Sequence, residues 1–338
     1  MGASMSPVLL LVLLLAVAAI HDFVNGFHDG ANIVSTVIAS RAMSARGSLV
    51  LAAAATLVGP FVLGVAVAET MGEGIVAPRS VTLAVALAAL LSATGWNAIT
   101  WYFGIPVSAS HSLVGGLLGA VIAAGSFSEI RVAGVLKVAA ALFVSPLLGF
   151  TIALGVMHSL RWLLRDATPK ANIALARAQV ATAGVLALTN GANDAQKTVG
   201  VIALGLLALG FAPTFTVPWW AIALSAFCLA GGTLLGGERL IRTLGARFYP
   251  IRPINGVASQ LASGVVILGA SLAGGPVSST QVVSLAIVGA GAAERPSKVR
   301  WGALHDIAIA WVLTVPASAL FAMPLYLAME AIVGPGGA

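Results

Sequence analysis

Two aspartates carry the chemistry that is most visible in this sequence. Asp29 stands in Asn25-Gly26-Phe27-His28-Asp29-Gly30-Ala31-Asn32, and Asp194 stands in Asn190-Gly191-Ala192-Asn193-Asp194-Ala195-Gln196-Lys197. Each lies between apolar runs. A carboxylate at membrane depth costs about 2.5–3.5 kcal/mol on insertion scales, so it requires a partner. One reading is structural: the carboxylate caps a broken helix or, for Asp194, pairs with Lys197. The other is a cation or proton site, and recurrence at matched positions favours it. The amides of Asn25, Asn32, Asn190, Asn193 and Gln196 supply oxygen ligands and N–H donors. Adjacent glycines permit close approach of an ion. If the cation is sodium, Asp29 and Asp194 are its carboxylate ligands, supported by Asn25, Asn190 and Asn193.

A second duplicated pattern follows each aspartate. Pro106-Val107-Ser108-Ala109-Ser110 matches Pro276-Val277-Ser278-Ser279-Thr280, with 77 positions from Asp29 to Pro106 and 82 from Asp194 to Pro276. Proline disfavours helix in the residue before it, and hydroxyls before an apolar run are helix N-caps. A helix N-terminus offers free N–H groups and a positive dipole end, so it favours an anion. Ser108, Ser110, Ser278, Ser279 and Thr280, with Asn32, Gln196 and Lys197, are the candidate anion contacts. Lys197 takes the position of Asn32 and either contacts the anion or neutralises Asp194. His28 and His111 are proton shuttles, anion donors or packed histidines. His21 and Asp22 lie one turn before the first motif and support it. His305 and Asp306 read as interfacial.

The elements that must hold these residues are helical and membranous. Of 338 residues, 59% are hydrophobic and 8% charged; soluble domains carry roughly 25% charge. At about 20 residues per span, the chain allows an all-α integral membrane protein of roughly 10–12 membrane segments. Apolar runs fall near 7–20, 33–40, 48–68, 81–103, 113–125, 132–160, 173–189, 198–212, 217–235, 254–273, 282–293 and 301–333. Several are too short to span, and each short run lies beside a polar motif. That predicts broken helices and re-entrant hairpins, which are tolerated at depth only where buried in protein or lining a cavity. The run 7–20 resembles a signal-peptide core, but it lacks a basic flank and a clear cleavage site and reads as a retained helix. Cys228 sits in an apolar run and reads as packing.

The pI near 10.1 does not indicate nucleic acid, because the basic residues cluster in short loops. Arg41 and Arg46; Arg161, Arg165, Lys170 and Arg177; Arg239, Arg242, Arg247 and Arg252; and Arg295, Lys298 and Arg300 make 13 of the 17 Lys and Arg. If these four loops are cytoplasmic, both termini are extracytoplasmic. The loop after the first motif is then inside and its counterpart outside, so the two repeats are inverted, as in secondary transporters. The predicted divisions are 1–165, a short cytoplasmic linker 166–177, and 178–338.

The paired motifs resemble those of the inorganic phosphate transporter (PiT) family, over essentially the whole chain. Membership implies symport of inorganic phosphate with Na+ or H+ across the cell membrane, an inverted-repeat fold with two hairpins, no cofactor beyond the coupling ion, and a possible homodimer. Some bacterial members carry phosphate as a metal complex, and others carry sulfate. Residue by residue, Asp29, Asn32 and Asp194 fall on the central motif positions, and Ser108, Ser110, Ser278, Ser279 and Thr280 fall on the hairpin tips. The chain departs from the family at Gln281 and Asn190, where histidine is frequent, and in its short linker. Rival readings are a channel, and an intramembrane hydrolase with Ser110 as nucleophile and His111 as base. The hydrolase is weakened because adjacent helix residues do not face each other. The chain is therefore expected not to be an enzyme.

Overall fold

The computed structural model describes residues 5–105, 107–236 and 251–334; Pro106 and the arginines at 239, 242 and 247 lie outside the described residues. Eleven α-helices are present there: α1 (Pro7–Ala39), α2 (Ala45–Val62), α3 (Ala66–Glu69), α4 (Leu83–Tyr102), α5 (Ala109–Ala123), α6 (Val132–Leu163), α7 (Ala171–Ala208), α8 (Trp219–Leu235), α9 (Pro253–Leu272), α10 (Ser279–Glu294) and α11 (Trp301–Val333). A single β-bridge joins Val76 to Ile130. Among the described residues seven helices are long and apolar enough to cross a membrane, and α5 and α8 are shorter apolar helices. The outer surface is apolar along α2, α6 and α11, as lipid contact requires. Tyr102, Trp162, Trp219 and Trp301 stand exposed at helix ends, where amphipathic rings favour the membrane–water interface.

The helix breaks fall at the proline–hydroxyl segments, not at the aspartates. The runs 7–20 and 33–40 are one 33-residue helix, and 173–189 and 198–212 are parts of one 38-residue helix. The expectation of broken helices is therefore corrected at both aspartate motifs. Their polar residues recur every three or four positions, so they share one face of a continuous helix. That face is buried between helices, while the opposite face stays apolar. At about 1.5 Å per residue, α1 and α7 reach ~50 Å or more and outrun the ~30 Å hydrocarbon core. α4 ends at Tyr102 before α5 begins at Ala109, and α9 ends at Leu272 before α10 begins at Ser279, each pair forming an apolar hairpin. Hydroxyl N-caps begin α1, α2, α4, α5 and α10 at Ser6, Ser44, Thr82, Ser108 and Ser278.

Packing follows an exchange rule. α1 packs on α8 and α7 on α2; α5 packs on α11 and α10 on α6; α4 packs on α1 and α9 on α7. The pattern is unchanged when α1, α2, α4, α5 and α6 are swapped with α7, α8, α9, α10 and α11. Close approach depends on the motif glycines. A Cβ on Gly26 would lie 2.1 Å from the Leu229 carbonyl oxygen, and one on Gly191 2.7 Å from Thr56 backbone atoms.

The loops sort to two ends of the bundle. At one end Ser40 donates to Gln179 at 2.7 Å, Arg161 donates to the Ala293 carbonyl at 2.9 Å, and Arg252 pairs with Glu294. The segments at 40–46, 161–177, 252 and 294–300 therefore gather there. At the other end Arg131 donates to the Glu73 carbonyl, and Pro213, Thr214 and Phe215 lie against Glu73, Arg79 and Glu129. The loops after α1 and after α7 thus stand at opposite ends.

Candidate functional site

Asp29 meets the hairpin tip of the other half directly, and Asp194 reaches the other tip through Lys197. Asp29 on α1 accepts from Ser279 at 2.6 Å and Thr280 at 3.2 Å on α10, and from Asn32 Nδ2 at 2.9 Å. Asn32 Nδ2 also donates to Thr280 Oγ1 at 2.8 Å. Asp194 on α7 accepts from Lys197 Nζ at 2.6 Å and Asn190 Nδ2 at 3.0 Å. Lys197 Nζ reaches Ser110 Oγ of α5 at 2.5 Å and the Val277 carbonyl at 3.1 Å. Asp29, Asp194 and Lys197 are all buried, and the two carboxylates lie within electrostatic reach of each other.

The hairpin tips meet. Ser110 Oγ donates to the Val277 carbonyl at 2.7 Å, and His111 Nε2 lies 3.4 Å from Gln281 Nε2. His111 and Gln281 occupy matching places, three residues after the capping serines. Ser108 Oγ accepts from the His111 backbone N–H at 3.2 Å and lies 2.7 Å from His111 Nδ1; Ser278 Oγ accepts from the Gln281 N–H at 3.3 Å. Both helix N-termini therefore open into one buried polar centre flanked by the aspartates. His111 bonds Ser108 rather than Ser110, so the Ser110–His111 nucleophile–base pair does not form.

The remaining expected site residues divide. Asn193 braces the second hairpin: its Nδ2 donates to Ser271 Oγ at 2.8 Å and the Gly275 carbonyl at 3.3 Å, and its Oδ1 accepts from the Val277 N–H at 3.2 Å. Gln196 Oε1 accepts from the Val67 N–H of α3 at 2.9 Å, so its contact is with that short helix and not with the hairpin tips. Asn25 is buried with its Oδ1 unpartnered, as is Asn190 Oδ1. His28 Nδ1 lies 3.4 Å from Asp29, and His21 Nδ1 lies 3.0 Å from Thr94 Oγ1. His305 is exposed near the start of α11, and the Asp306 side chain lies outside the described residues.

Sequence reasoning missed a polar brace beside the centre. Gln179 Nε2 donates to the Thr36 carbonyl at 3.0 Å, Gln260 Nε2 donates to Thr36 Oγ1 at 2.7 Å, and Thr182 donates to Gln260 Oε1 at 2.7 Å. These bonds tie α1 to α7 and α9. The available signal was an uncharged amide inside an otherwise apolar run, since an amide placed there must find partners. The sequence gives Asp22 only a supporting place, yet its Oδ1 accepts from Thr198 Oγ1 at 2.5 Å and its Oδ2 accepts no bond of normal geometry.

The arrangement places two carboxylates, one ammonium, paired hydroxyls and two helix N-termini together. It can hold an oxyanion on donors and cations on carboxylates; among the described residues no group of three or more His, Cys, Asp or Glu side chains could hold a metal ion. Comparison with known proteins gives the family. The model of the "Phosphate transporter family" matches residues 25–176 and 165–322. The "Probable low-affinity inorganic phosphate transporter" of Rhizobium meliloti is 41% identical over 325 residues, covering 96% of this chain and 97% of that protein. The protein of the same description from Bacillus subtilis is 36% identical, covering 97% of this chain and 100% of its own length. A solved structure described as "The sodium-dependent phosphate transporter" superposes with a TM-score of 0.89 over 96% of this chain and 99% of its own, at 24% identity, and shows the same fold. This multi-pass, all-helical membrane chain is a transporter rather than an enzyme, and it belongs to the phosphate transporter family.

Proposed function

We propose that the chain imports inorganic phosphate across the cell membrane in symport with Na+ or H+. The observation that carries the reading is the convergence of both hairpin N-termini and both motif aspartates on one buried centre. Phosphate takes the donors there: Ser108, Ser110, Ser278, Ser279, Thr280, Asn32 and Lys197. Cationic charge takes the carboxylates: a mobile cation on Asp29 with the neighbouring amides, and the tethered Lys197 ammonium on Asp194. The superposing protein is described as sodium-dependent, which supports sodium as the first ion to test.

Charge explains why a cation is needed. Moving a divalent anion inward against about 100 mV costs roughly 4.6 kcal/mol, at about 2.3 per charge. Two monovalent cations cancel that cost, and a third adds drive. The hydrogen bonds supply a coupling device. Ser279 and Thr280 direct their donors at Asp29, so a cation on Asp29 releases them for phosphate. Each ligand then strengthens the other's binding, and the effect is reciprocal.

Orientation follows from the loops. The basic segments at 40–46, 161–177, 252 and 294–300 share one end of the bundle, which supports a cytoplasmic linker, inverted halves at 1–165 and 178–338, and extracytoplasmic termini. The test of the function is radiolabelled phosphate uptake into proteoliposomes with imposed sodium or proton gradients and sulfate as competitor. Accumulation above the external concentration under one gradient, unaffected by equimolar sulfate, is expected. Uptake that only equilibrates, or that sulfate blocks, overturns the reading.

A further inference from the structure

The two halves place different nitrogens in one position. Asn32 Nδ2 bonds Asp29 Oδ1 at 2.9 Å and Thr280 Oγ1 at 2.8 Å. Lys197 Nζ bonds Asp194 Oδ1 at 2.6 Å and Ser110 Oγ at 2.5 Å. Asn32 matches Lys197 in the repeat, and Thr280 matches Ser110. A neutral amide in the first half is thus replaced by an ammonium in the second. A mobile cation on Asp194 would have to displace a tethered one that already holds three acceptors. Doing so would leave an ammonium buried without its carboxylate, which is strongly unfavourable.

A different carboxylate lacks a cation. Asp22 lies on α1 two turns before Asp29, 1% exposed. Its counterpart at the same offset in the second half is Ala187. Its Oδ1 accepts from Thr198 of α7, and its Oδ2 accepts no bond of normal geometry, although the Ser225 hydroxyl of α8 stands beside the carboxylate. Asn25, three residues on and 2% exposed, also has its Oδ1 unpartnered. Residues three apart on a helix are neighbours on one face. A carboxylate oxygen and an amide oxygen, both buried and neither in a bond of normal geometry, therefore lie one turn apart on α1, with the Thr198 and Ser225 hydroxyls alongside. A buried carboxylate is protonated, paired or bound to a cation, and the proton-release measurement below separates the first outcome from the last. The ammonium of Lys197 is already paired with Asp194.

We propose that Asp22, Asn25 and Thr198 form a binding site for a monovalent cation of sodium's kind, separate from the Asp29–Asp194 centre, while Lys197 fills the matching role in the second half as a tethered cation. The inference rests on the symport reading above. The ligands are all oxygen, which suits a hard cation. A single carboxylate among neutral oxygens balances one positive charge, so a divalent ion would leave a buried excess charge. Because the ligands come from α1 and α7, an ion there clamps the two motif helices and favours the closed centre.

The test is binding of radioactive sodium to the purified protein in lipid nanodiscs, without phosphate, at fixed pH and with choline replacing sodium. Wild type should bind sodium saturably. Asp22→Asn should abolish binding at the Asp22 site, removing one sodium per chain while the Asp29 site remains. Asn25→Ala and Thr198→Val, which leave the charge in place, should each weaken it about ten-fold; they decide the matter if Asp22→Asn does not fold. Lys197→Asn should add one sodium per chain to the wild-type number. Wild-type affinity in Asn25→Ala and Thr198→Val, no sodium binding in wild type, or release of a proton in place of sodium binding at Asp22 would overturn the site. An unchanged stoichiometry in folded Lys197→Asn would overturn the tethered-cation assignment. Since no phosphate is present, failure here is separable from failure of phosphate uptake, which would refute the transport reading instead.

Discussion

The Asp29 and Asp194 sites are the same device built twice and charged differently. Both place a carboxylate at mid-helix and bridge it through one nitrogen to a hydroxyl on a hairpin from the other half, and Asp29 also accepts from such hydroxyls directly. In the first half that nitrogen is the Asn32 amide; in the second it is the Lys197 ammonium. An amide bridge leaves the carboxylate free to exchange donors for a cation. An ammonium bridge does not. Fold symmetry therefore does not impose functional symmetry: one side is suited to gating by an ion and the other to holding the centre together.

The comparison breaks most visibly if each carboxylate is neutralised in turn. Asp194→Asn strands Lys197 in a buried site and should cost about 3–5 kcal/mol of stability. Asp29→Asn leaves only neutral donors around an amide of the same shape and should cost much less. Thermal unfolding in detergent should separate them by several degrees, and both should lose concentrative uptake. Equal melting points would mean that Lys197 does not depend on Asp194. Next in size are the helix contacts behind the motifs. Gly26→Ala puts a Cβ 2.1 Å from the Leu229 carbonyl oxygen, whereas Gly191→Ala meets Thr56 at 2.7 Å. Overpacking of this kind costs about 1–3 kcal/mol. Gly26→Ala should therefore be the more destabilised in the same melting assay, and the reverse order would contradict the packing described.

A smaller change is expected at the hairpin tips. Ser108→Ala together with Ser279→Ala removes one hydroxyl from each tip and should raise the KM for phosphate about ten-fold, consistent with roughly 0.7 kcal/mol per lost hydrogen bond. Expression should be unaffected, and a wild-type KM would place the substrate elsewhere. The last prediction changes no activity. In a Cys228→Ser background, a cysteine at Thr168 should label only from the cytoplasmic side and one at Thr214 only from outside. Labelling of both from one side would refute the inverted arrangement.

Much of this centre was legible in the residues because duplication exposed it. Asp29, Asp194 and the two serine clusters recur in the same order at similar separation, and the structure brings them together. The continuity of α1 and α7 was hidden. A hydropathy window averages around the helix, so a polar stripe such as Asp22, Asn25, Asp29 and Asn32 lowers the mean and imitates a break. Partner choice was hidden as well. Gln196 sits one residue before Lys197, yet the helix turns it toward α3, and no spacing rule says that Val67 lies there. The Gln179–Thr36–Gln260 brace depends on three helices distant in sequence, and its members carry no repeat to mark them.

The central claim is that the Asp29 side couples a cation to phosphate. The most direct measurement is the phosphate accumulation ratio in proteoliposomes at a series of imposed cation gradients, for wild type and Asp29→Asn. Wild type should accumulate in proportion to a fixed power of the gradient. Asp29→Asn should stay at equilibrium at every gradient while remaining folded. Accumulation by Asp29→Asn with the wild-type gradient dependence would contradict the account.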